Sequence, residues 1–100
     1  MFVVANRIPV AEGHEDDFEA RFEKRAKKVD QREGFVRMEV LRPVEADRYV
    51  VLTYWESEDA FDAWTESEDF REAHRDRPPK EMFSGKSEME SHEVFISAEK

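Results

Sequence analysis

The chain has no cysteine in 100 residues, which excludes disulfide staples, thiolate zinc sites and cysteine-ligated iron–sulfur clusters. It also has no apolar run near the roughly 18–20 residues that span a bilayer. The opening Met1-Phe2-Val3-Val4-Ala5-Asn6-Arg7 lacks the basic-then-apolar layout of a signal peptide, so a soluble, cytoplasmic protein is expected. Positive charge is scarce: 16 Lys and Arg against 25 Asp and Glu leave a formal net charge of −9. Nucleic acid is therefore not an expected partner, because its phosphates would be repelled. With three glycines there is no GxGxxG and no P-loop, and HExxH is absent as well. None of the few serines and threonines sits in a nucleophile-elbow context. A chain this short predicts one domain over residues 1–100 that buries about two-thirds of its unfolded surface.

What is present is charge. Charged residues are 41% of the chain, and self-repulsion of this kind costs stability that salt restores by screening. Two readings follow, an adaptation to high cytoplasmic salt (a halophile) and an ordinary acidic protein. Carboxylates are plentiful, but they crowd helix starts and exposed faces, and no spacing singles out a metal site among them.

Periodicity organises the rest. Phe2, Val4, Asn6 and Ile8 alternate with Val3, Ala5 and Arg7, which predicts a strand ended by Pro9. Gly13 to Arg32 is predicted helical, with Phe18, Phe22, Ala26 and Val29 as its apolar stripe and acidic residues leading basic ones along the dipole. Phe35–Arg42 and Arg48–Glu56 are predicted as two strands about a short turn. Val36, Met38 and Val40 are expected on one face of the first. The second is apolar on both sides, with Tyr49, Val51 and Trp55 opposite Val50, Leu52 and Tyr54. A strand of that kind needs cover on both faces, and in so small a domain the second cover is expected from another subunit. Ser57 and Ser67 each cap a short helix. Residues 75–88 read as a polar loop, and Met89–Ala98 as a last strand. The order β-α-β-β-α-α-β predicts the ferredoxin-like α+β arrangement with an antiparallel sheet, paired into a dimeric α+β barrel.

Three residues break their local pattern. Asn6 puts a costly amide on an apolar strand face, where it either ties down backbone or faces a pocket. Trp64, beside Phe61 on an amphipathic helix, reads as a core residue. His74 follows Phe70 and Ala73 on the inner side of a short helix, and is either a dipole-stabilised helix cap or a metal ligand. His14 reads as solvated, and His92 faces either solvent or a partner sheet.

Specific segments then point to a family. Ala5-Asn6-Arg7-Ile8, Glu33-Gly34-Phe35 and Leu52-Thr53-Tyr54-Trp55-Glu56-Ser57-Glu58-Asp59-Ala60-Phe61-Asp62-Ala63-Trp64 resemble the antibiotic-biosynthesis monooxygenase superfamily. The stretch from Trp64 to His74 is similar to its small haem-degrading monooxygenases, typified by the staphylococcal iron-regulated haem oxygenases. The resemblance covers about residues 2–75. It implies a dimeric α+β barrel in which each subunit takes haem as both substrate and cofactor. His74 is implied as the ligand to haem iron and Asn6 as a hydrogen-bond donor to dioxygen on the distal side. Trp64 is implied as the side chain that presses the macrocycle out of plane. Axial ligation, hydrogen bonding and distortion are the levers a protein has on haem. Haem propionates need cationic partners, for which Arg7, Arg71, Arg75 and Arg77 are candidates. Ring opening further implies dioxygen, an electron-donating reductase, and release of iron with an open-chain tetrapyrrole. Two other readings are a cofactor-independent monooxygenase acting on a quinol-like aromatic, and a non-catalytic dimeric barrel binding a small hydrophobic ligand.

Overall fold

A computed structural model describes residues 1–29, 31–75 and 78–100, and for residues 25–28 the backbone alone. Ala26 of the predicted stripe and Arg77 of the candidate cations therefore lie outside the described side chains. The elements follow the order β1 (Phe2–Ile8), α1 (Glu15–Val29), β2 (Phe35–Leu41), β3 (Tyr49–Trp55), α2 (Glu58–Thr65), α3 (Glu68–Ala73), a 3₁₀ turn (Lys80–Met82) and β4 (Glu88–Glu93). All pairings are antiparallel and the sheet order is β2-β3-β1-β4. This is the expected ferredoxin-like α+β arrangement.

Local chemistry starts each helix. Glu15, Asp16 and Asp17 fill the first turn of α1, and the Gly13 N–H donates to the Glu15 carboxylate at 2.6 Å. Ser57 Oγ accepts from the Ala60 N–H, and Ser67 Oγ from the Phe70 N–H, each at 3.2 Å. An N-cap of this kind stabilises its helix by about 1 kcal/mol.

Register decides which side chains go beneath the helices. Phe2 pairs with Trp55, Val4 with Thr53, Asn6 with Val51 and Ile8 with Tyr49. These eight share the helix-facing side. Two core clusters form there. Ile8, Phe18, Phe22, Tyr49, Val51 and Met82 make one, and Val4, Val29, Trp55 and Trp64 make the other.

The opposite face carries the half-buried Val50, Leu52 and Tyr54. Arg37 stacks over the Tyr54 ring at 4.2 Å, and Arg7–Glu90 and Arg48–Glu88 pair at 2.7 and 2.8 Å. Strand β3 is thus apolar on both sides, as expected.

Three expectations change. The register shifts between Phe35 and Arg37. The irregularity keeps Phe35, Met38 and Val40 on the helix side and leaves Val36 exposed rather than in line with them. The last strand stops at Glu93 instead of Ala98. Its pairing with β1 ends at Phe2 opposite Glu93, followed by one bond from the Val94 N–H to the Met1 carbonyl at 2.9 Å. Phe95 is consequently 91% exposed. Finally, the segment after His74 is more than a polar loop. Met82 is buried, its carbonyl accepts from the Ala11 N–H at 2.7 Å, and Phe83 bridges to Val10.

Candidate functional site

Trp64 and His74 are joined by a short, doubly connected path. The Ser67 O–H donates to the Trp64 carbonyl at 2.7 Å while its oxygen accepts from Phe70 N–H. The Phe70 carbonyl then accepts from His74 Nδ1–H at 2.8 Å and from the His74 backbone N–H at 3.1 Å. The rings run parallel to this ladder. Trp64 and Phe70 meet edge-on with centroids 5.6 Å apart, and Phe70 and His74 lie 4.1 Å apart at 31°.

His74 departs from its expected inward position. Helix α3 ends at Ala73, and His74 takes φ −109°, ψ 8° as the C-cap, which leaves it exposed on the Phe70 ring. Nδ1–H donation to a carbonyl fixes the tautomer and puts the imidazole lone pair on Nε2. That is the donor atom a haem iron requires, and with no cysteine in the chain it suits a histidine-ligated haem.

Trp64 is 6% exposed and belongs to the core, as its periodicity suggested. It stacks on Trp55 at 6.4 Å and 29°, and Trp55 is itself fully buried, with its Nε1–H donated to Thr53 Oγ1 at 2.9 Å. An indole held on two sides yields little to a ligand.

Asn6 reaches the same side of the sheet by a separate route. It sits on β1 between Val4 of one cluster and Ile8 of the other, half-buried. Its carboxamide has no hydrogen-bond partner among the described residues. The backbone tie that its place on an apolar face allowed is therefore not seen among the described residues. Beside it in register on β4 is Met89, an apolar side chain left 66% exposed.

Arg7 lies apart from Asn6. Alternation turns it to the sheet face away from the helices, where its Nε–H donates to Glu90 at 2.7 Å and raises the guanidinium pKa. It does not share a face with Asn6. Arg71 and Arg75 are exposed and flank His74 in sequence. His14 is half-buried at the start of α1, and His92 lies on the sheet face opposite the helices. Among the described residues no group of three or more His, Cys, Asp or Glu could hold a metal ion, and no helix is long and apolar enough to cross a membrane.

A second polar group lies beyond Phe22. Arg42 donates twice to Glu19, at 2.9 and 2.6 Å, and the Tyr49 O–H donates to the same carboxylate at 2.6 Å. The Arg42 bonds, then the Tyr49 bond, hold the Glu19 carboxyl down to about 2, while burial first and Glu19 second push Tyr49 up to about 12. The group rims a cleft of about 390 Å³ walled by Phe22, Met38 and Val40. Its polar atoms satisfy one another, which makes it a clasp between α1 and the sheet.

A four-stranded antiparallel sheet in the order β2-β3-β1-β4, with its helices on one face, defines a ferredoxin-like α+β protein. The profile of the antibiotic biosynthesis monooxygenase family matches residues 1–76, and the chain belongs to that family. It is 42% identical to a staphylobilin-producing haem oxygenase of Staphylococcus haemolyticus, over 77% of this chain and 76% of that one. It is 35% identical to a haem-degrading monooxygenase of Shouchella clausii, over 96% and 92%. In three dimensions it is similar to the haem degrader MhuD of Mycobacterium tuberculosis, whose structure has two haems bound in its active site. The TM-score is 0.83 at 33% identity, covering 99% of this chain and 100% of that one.

Proposed function

We propose that the protein is a haem-degrading monooxygenase that opens the porphyrin ring oxidatively and releases iron. The observation that carries the reading is the Nδ1–H bond from His74 to the Phe70 carbonyl, which presents Nε2 as the donor atom. Haem, when bound, supplies both the redox centre and the macrocycle that is oxidised. The chain's residues do the rest. His74 holds the iron. The Asn6 amide, with no hydrogen-bond partner among the described residues, would be the group that hydrogen-bonds dioxygen. Trp64, backed by Trp55 and Phe70, would be the unyielding side chain that presses on the macrocycle. Arg71 and Arg75 are the described candidates for the propionates.

The working form is a cytoplasmic homodimer of single-domain subunits. A second copy covers the sheet face formed by Val3, Ala5, Val50 and Leu52, which the helices leave uncovered. Dioxygen and a partner reductase supply the oxidant and the electrons. The test is spectroscopic. The haem-loaded protein is mixed with ascorbate in air, and the expected result is loss of the Soret band with iron appearing in a ferrozine assay. A Soret band that survives reductant and oxygen overturns degradation.

A further inference from the structure

We propose that Phe70 is a positioning residue that makes Trp64 and His74 one rigid unit, so that the bend imposed on the haem is set by their fixed separation. The proposal rests on reading His74 as the iron ligand and goes beyond it, since neither ligation nor contact with Trp64 requires a phenyl ring at position 70.

The argument starts from His74's exposure. A solvent-facing imidazole is not held by burial, and its χ2 torsion is broad and roughly two-fold. Phe70 supplies two restraints on it: the carbonyl that takes the Nδ1 proton, and the ring whose centroid lies 4.1 Å away. The same phenyl meets Trp64 edge-on at 5.6 Å, and the Phe70 N–H reaches back to Trp64 through Ser67 Oγ. Arg32 braces the junction from outside, with its guanidinium 3.5 Å from the Ala63 carbonyl and 3.9 Å from Asp69.

Bending a flat macrocycle takes two points of contact that do not move apart. The iron ligand fixes one point and the indole pushes at the other. A pair that yielded would release the bend. Sites that act through such geometry need their groups held to about 0.5 Å by supporting contacts. Among the described residues, Phe70 contacts both points, with its ring on Trp64 and its ring and carbonyl on His74.

The test compares Phe70→Leu and Phe70→Tyr with the parent, with far-UV circular dichroism confirming that each is folded. In the haem-free protein, the His74 ring protons are expected upfield in the parent and in Phe70→Tyr, and nearer their free-imidazole positions in Phe70→Leu. In the ferric haem complex before reductant is added, Phe70→Leu is expected to bind one haem per site with the parent's Soret position. Its electron paramagnetic resonance spectrum is expected to shift toward that of a planar haem, and Phe70→Tyr to restore the parent spectrum. Turnover of Phe70→Leu is expected to fall ~10–100-fold, the usual effect of removing a contact that orients a ligand. If Phe70→Leu does not fold, Ser67→Ala cuts the ladder while keeping both rings, and a partial move of the same spectrum is expected. A Phe70→Leu complex with the parent's paramagnetic spectrum overturns the proposal. A His74→Ala protein that binds haem with the parent's Soret band overturns the ligand reading and this proposal with it, while the haem-free proton shifts still report the ring stack.

Discussion

A Cβ on Gly34 would stand 2.5 Å from the Cβ of Ala60. Gly34 also has φ +84°, and its carbonyl accepts from the Glu56 N–H at 2.8 Å, just before the Ser57 cap. The turn after α1 is thereby pressed against the first turn of α2, and the position of Trp64 one turn further on depends on it. Gly34→Ala must strain the backbone and push α2 away from the sheet. It is expected to lower unfolding free energy by about 1–3 kcal/mol, measured by urea denaturation. An unchanged midpoint would mean that α2 shifts freely.

Asn6→Ala is expected to leave stability within about 0.5 kcal/mol of the parent, or to raise it. The substitution removes a half-buried amide with no partner among the described residues, so no hydrogen bond is lost. Haem binding is expected to persist while most turnover is lost. A mutant that opens the ring at the parent's rate would remove Asn6 from the chemistry.

The Glu19 clasp predicts an acid limb. Glu19 binds its proton near 4.5 when unfolded but only near 2 in the fold, so the unfolded state takes up protons first as pH falls. The stability it contributes is complete above about pH 4.5 and is lost on descent toward pH 2. Glu19→Gln is expected to flatten the fall of Tm over that window, with the Arg42 partnership weakened at neutral pH. An identical acid limb in parent and mutant would show that the clasp contributes nothing.

Much of this was legible in the sequence because period and capping are local. The alternation of Phe2 to Ile8, the serine caps at 57 and 67, and the two-sided apolar character of Tyr49–Trp55 all reappear in the structure. What was not legible depends on partners distant in sequence. The irregularity near Val36 exists only in the pairing of β2 with β3, and β4 stops where β1 begins. The pairing of Arg7 with Glu90 spans 83 residues, although its alternation with Asn6 already puts it on the other face. His74 looked inward because the helix was extended through it, whereas α3 ends one residue earlier. Periodicity puts Phe70 on the inner side of its short helix and does not single it out as the partner of His74. Its spacing, four residues before His74 and three after Ser67, is the signal that could have marked it.

The most direct measurement is haem titration of the parent and of His74→Ala, followed at the Soret band. The expected result is stoichiometric binding with a shifted Soret band in the parent, and loss of that band in His74→Ala with the fold intact. Equal Soret spectra in the two proteins, or no haem binding by the parent, would contradict iron ligation by His74 and with it the proposed function.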